Sequence, residues 1–123
     1  MEKDRRSDDR SPREICLELI DTDKLRVQTE QLLDKLLPHL AADIENYLHK
    51  QDAKVFYEIF TDRKAPTIRV VLKLNKSHHE VLIHLDSRNA LFVIGNEPSA
   101  EVASTALEAS GILEKVLMRV SSS

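Results

Sequence analysis

The segment "TIRVVLKLNKSHHEVLIHLD", Thr67 to Asp86, decides how the rest of the chain reads. Apolar residues alternate with polar ones through Ile68, Val70, Leu72 and Leu74, and again through Val81, Ile83 and Leu85. That is the period of a half-buried β-strand. Between the two runs, Lys76, Ser77 and His78 are few enough to join antiparallel neighbours, so the segment predicts a hairpin. Its three histidines and Glu80 also pose a metal question. A zinc site needs three or four ligands converging at about 2.0–2.3 Å from the ion. At a strand rise of about 3.3 Å, His79 and His84 stand roughly 16 Å apart on opposite faces. His78 and Glu80 share a face but need two further ligands, and no Cys pair or HExxH-like helix offers them. The expectation is a hairpin with no metal and no cofactor.

Working outward, "KVFYEIF" (Lys54 to Phe60) and "NALFVIG" (Asn89 to Gly95) show the same period, and the connections "DRKAP" and "SR" are short. Parallel strands need crossovers of about a dozen residues. The prediction is a four-stranded antiparallel meander.

Toward the amino terminus the period lengthens. Ser11-Pro12-Arg13-Glu14 has a capping Ser, a Pro at the first helical position and a Glu able to return a capping-box bond. It predicts a helix burying Ile15, Cys16, Leu19 and Ile20; the competing reading is a strand with Ile15, Leu17 and Leu19 on one face. A second helix opens at Thr22 or Asp23 and runs to about Lys50, with Leu33, Leu36, Leu37, Leu40, Ile44, Tyr47 and Leu48 in helical phase. Pro38 lies inside it and predicts a kink, or the start of a new helix. A last helix is expected after Pro98-Ser99, burying Val102, Ala106, Leu113, Val116, Leu117 and Val120, and weakened at Ser110-Gly111.

The fold class is therefore α+β, a two-layer or three-layer domain over residues 11–120. A charged flexible tail is expected at 1–10, where Lys3, Arg5, Arg6 and Arg10 alternate with acids, and a frayed end at 121–123. A chain of 123 residues and 14.0 kDa is of single-domain size. A net charge of -3 gives no general basic field for nucleic acid or membrane surfaces. Cys16 is the single cysteine, which excludes an internal disulfide and suits a reducing compartment. With no apolar run approaching the roughly 20 residues of a membrane span, the chain reads as cytoplasmic or nuclear.

No catalytic constellation emerges. His39 and His49 lack a Cys or Ser partner in a recognisable nucleophile context, and the two glycines, Gly95 and Gly111, form no phosphate-cradling loop. The expectation is a protein that is not an enzyme. Strand parity is more informative. One face carries Ile68, Val70, Leu72, Leu74, Val81, Ile83, Leu85, Ala90, Phe92 and Ile94 and should lie under helices. The other holds Phe56, Phe60, Val71, Leu82, Leu91 and Val93 among Glu58, Arg69, Lys73, Glu80 and His84. That is too apolar for a face left in water. Either the amino-terminal helices fold across it, or it meets another chain. On the second reading Phe56, Phe60, Val71, Leu82, His84, Leu91 and Val93 are the candidate protein-binding residues, and the partner is another protein or a second copy.

The order helix, helix, four-stranded meander, helix over Thr22 to Val120 is similar to the RWD group of interaction domains, and that resemblance implies an adaptor role. With a strand at Ile15–Ile20 the order would resemble ribosome-hibernation and double-stranded-RNA-binding folds. Those folds imply a small RNA-binding or ribosome-associated domain, with Arg63, Lys64 and Lys76 among the candidate bases.

Overall fold

A computed structural model describes residues 11–49, 52–61, 66–95 and 99–121. The expected tail at 1–10 and the end of the second helix at Lys50 lie outside them, as do Arg63, Lys64 and Pro98. Helix α1 (Pro12–Leu19) begins as its sequence dictates. The Ser11 hydroxyl accepts the Glu14 amide at 3.3 Å, and Glu14 Oε1 accepts the Ser11 amide at 3.0 Å. This reciprocal cap settles the helix against the strand reading. Of the side chains expected in the core, Cys16 and Ile20 are buried and Leu19 stays exposed.

The Thr22 hydroxyl then accepts the Leu25 amide and starts α2 (Asp23–Gln31). A π-helical turn, Leu32–Leu36, joins α2 to α3 (Leu37–Tyr47). The Leu37 N–H reaches back five residues to the Leu32 carbonyl. In a regular α-helix the Pro38 ring would strike the carbonyl four residues before it, and the wider turn is the local departure from α geometry that precedes the proline. The helix thus continues across Pro38. Leu33, Leu37, Leu40, Ile44 and Leu48 are buried, whereas Tyr47, expected among them, is exposed at the flank of the stripe.

Asp52, at φ 51, turns the chain into the sheet. Strands β1 (Lys54–Thr61), β2 (Pro66–Lys73), β3 (His78–Asp86), β4 (Leu91–Ile94) and β5 (Glu101–Ala103) form an antiparallel meander in chain order. The sheet has five strands rather than four. The residues expected to begin the last helix form β5 instead, so Val102 lies on a strand and is exposed. Three residues are too short for any period to register. The β2–β3 turn closes with the Leu74 amide on the Ser77 carbonyl at 2.7 Å, and His78 already belongs to the strand.

Helix α4 (Ala106–Ser121) ends the described chain; Ser121, expected to fray, is its last residue and bonds the Met118 carbonyl. The helix opens with a second reciprocal cap. The Thr105 hydroxyl accepts the Glu108 amide at 3.1 Å, and Glu108 Oε1 accepts from the Ser104 amide and hydroxyl, both at 3.0 Å. Those bonds, the Ser104 amide first, hold the Glu108 carboxyl below its ordinary pKa. A depressed folded-state pKa contributes stability that is present above the unfolded value and lost as pH falls through the folded one. Glu108→Gln is therefore expected to be less stable than the native chain at neutral pH, with the gap closing in acid, as thermal melts across pH would read.

The Ser110-Gly111 step does not interrupt α4. A Cβ built on Gly111 meets nothing within 4 Å. Gly111→Ala should raise stability by about 0.5–1 kcal/mol, because the glycine there supplies only extra freedom to the unfolded chain. Denaturant melts would read this as a higher midpoint at unchanged slope.

All four helices join one core with the inner sheet face. Ile68, Val70, Leu72, Val81, Ile83, Leu85, Phe92, Ile94 and Ala103 meet Cys16, Leu25, Leu32, Leu37, Ile44, Ala106, Leu113 and Leu117 there. The domain is thus two-layered: among the described residues no helix lies across the second face of the sheet. No described helix is long and apolar enough to cross a membrane.

Candidate functional site: the open sheet face

Burial alternates along β2 as buried-intermediate and along β4 as intermediate-buried, whereas the edge strand β1 is exposed at Phe56, Tyr57 and Glu58 in succession. The half that is not buried is the face predicted from parity, with Phe56, Phe60, Val71, Leu82, His84, Leu91 and Val93 all directed away from the helices. Register arranges them in rows across the strands. Phe56, Val71 and Glu80 lie side by side, then Glu58, Arg69 and Leu82, then Phe60, Thr67, His84, Val93 and Val102, and last Asp86 beside Leu91. Phe56 is 49%, Phe60 44% and Val102 54% exposed, so the face presents large apolar side chains to solvent on two well-separated strands.

A charged centre is set into this surface. Arg69 Nε donates to Glu58 Oε1 at 2.9 Å, a second guanidinium nitrogen contacts the same oxygen, and Nη1 lies 3.5 Å from Glu80 Oε2. The hydrogen bond to Glu58 raises the Arg69 pKa above its ordinary value, helped by the two carboxylate charges and opposed by desolvation. The guanidinium also lies 5.1 Å from the centre of the Phe60 ring, within cation–π range. Arg69 is thus held among Glu58, Glu80 and Phe60. His84 Nδ1 shares a hydrogen bond of 3.1 Å with Thr67 Oγ1 in the same row.

A shallow depression between β1 and β3 is lined by Phe56, Tyr57, Glu58, Arg69, Val71, His78 and Glu80. Tyr57 reaches it from the sheet edge while its hydroxyl donates to the Leu33 carbonyl at 3.3 Å. Along that edge the Val55 amide, beyond which no strand lies among the described residues, is capped by Glu45 Oε2 at 2.7 Å. A side-chain cap of this kind blunts one position of an edge that would otherwise invite another strand.

The histidines of the opening segment are dispersed. His78 lies opposite Lys73, His79 lies opposite Leu72 on the other face and near Ser77, and His84 bonds Thr67. Among the described residues no three His, Cys, Asp or Glu side chains are grouped to hold a metal ion. Two contributors to the face escaped the parity reading. Val102 was assigned to a helix. Lys73 was placed on this face by parity, but its row with Lys54 and His78 at the hairpin end emerges only once the register of three strands is known.

Comparison of the chain with protein-family models, with curated proteins and with solved structures found no match. The resemblance to the RWD group accordingly rests on element order alone, and it is the open face that carries the argument about function.

Proposed function

We propose that the chain is a non-enzymatic interaction domain of the cytoplasm or nucleus, acting as an adaptor that presents its open sheet face to another protein. The observation that supports this is the exposure of Phe56, Phe60 and Val102, with Val71, Leu82, Leu91 and Val93 between them, on a sheet whose opposite face already supplies a complete core. Large apolar side chains left exposed together on one face mark a surface that another chain can cover. The exposed aromatics suit the anchor role, since rigid rings bury much area for little lost side-chain freedom. The Glu58–Arg69–Glu80 group would fix orientation more than strength.

The test is capture of partners by the tagged full chain from the cells that make it, with and without nuclease, beside the Val71→Glu/Leu82→Arg variant. A protein retained through nuclease treatment by the native chain and lost by a folded variant supports the reading. Recovery that depends on RNA, or that survives the substitutions, overturns it.

A further inference from the structure

The hairpin end of the open face has a charge character of its own. Lys54 lies directly opposite Lys73, and Lys73 directly opposite His78, so three basic side chains share one row across β1, β2 and β3. All three are exposed, and Lys76 sits exposed in the turn beside them. Among the described residues none of the four has an acidic partner, whereas Arg69, two rows away, has two. Like charges placed directly opposite one another disfavour the isolated sheet. The depression between this basic row and the apolar surface is lined by Phe56, Val71 and His78 together with the paired Glu58, Arg69 and Glu80.

We infer that the occupant of the face is a segment of another protein that carries an apolar run ending in a cluster of carboxylates. This rests on the interaction reading above and adds the partner's chemistry to it. The apolar side chains would cover Phe56, Val71, Leu82 and Phe60, with one anchored in the depression. The carboxylates would lie over Lys54, Lys73 and His78, removing the mutual repulsion of the two lysines. A second copy fits less well. A two-fold axis along the strands lays the basic row on its own counterpart, and one across the strands at the central row lays Arg69 on Arg69. RNA also fits less well, because Glu58 and Glu80 flank the central arginine and would repel a phosphate backbone crossing the face.

Selection from a displayed library of random peptides on the immobilised full chain tests the inference. The expected result is enrichment of peptides with Asp and Glu at one end of an apolar run. A synthetic representative should lose about tenfold or more in affinity to Lys54→Glu/Lys73→Glu, and should weaken as salt rises. It should not bind Val71→Glu/Leu82→Arg at all. Selected peptides without acidic bias that still need Val71 and Leu82 would overturn the acidic partner while leaving the interaction face standing. Peptides indifferent to Val71→Glu/Leu82→Arg would sink both. The acidic partner is likewise overturned by an absence of enrichment, by light scattering that shows a dimer dispersed by Val71→Glu/Leu82→Arg, or by labelled RNA whose binding Lys54→Glu/Lys73→Glu abolishes.

Discussion

Phe92→Ala is expected to lower stability by about 3–5 kcal/mol, the range seen when a large buried aromatic is cut back to a methyl group. Phe92 has no exposed surface and sits in β4 opposite Leu85 and Ala103, in the layer between the sheet and α4. Its neighbours are held in register from both sides, so the space it leaves cannot close by a simple shift. A domain of this size has a total stability of about 5–15 kcal/mol, so the loss removes a large part of it. The melting midpoint should fall by on the order of 10–20 °C. A fall of only a few degrees would mean that β4 is not packed between its neighbours as described. Phe60→Ala gives the contrast within one residue type. Phe60 is 44% exposed on the open face, and removal of its ring should move the midpoint much less.

That contrast was legible in the sequence, because parity along a strand is a local property. Ile68, Val70 and Leu72 alternate with Arg69, Val71 and Lys73, and a short turn leaves little freedom in how the next strand pairs. The first two helix starts were equally local, since Ser11 with Pro12 and Glu14, and Thr22 before Asp23, carry their own hydrogen-bond instructions. What was not legible depended on neighbours distant in the chain. β5 is three residues long and exists because β4 offers it an edge, so Glu101 to Ala103 shows no period of its own. The break in helical hydrogen bonding before Pro38 was signalled by the proline, but its form as a π-helical turn was not. The basic row joins Lys54 to Lys73 and His78 through two registers, and charge composition alone gave no hint of it.

The open face makes the second large prediction, and it separates binding from folding. Val71→Glu with Leu82→Arg should abolish partner capture while costing only about 1–2 kcal/mol of stability, since both side chains point out of the core and can keep their new charges in water. Leu82→Arg sets a second cation opposite Arg69, and Val71→Glu a second carboxylate opposite Glu80, so a modest cross-strand penalty is expected rather than none. Cys16 supplies an internal check on the fold. Its thiol has no exposed surface, and burial pushes its pKa up to about 11, so it should resist alkylation while the domain is folded and react when it opens. The expected outcome is a variant that melts near the native midpoint, keeps Cys16 protected and captures nothing. Had the face been part of the core, burying two unpaired charges would unfold the chain and expose Cys16 to the reagent at once. A variant that keeps Cys16 protected yet retains its partner would place the interface elsewhere, and the exposed aromatics of β1 would then need another explanation.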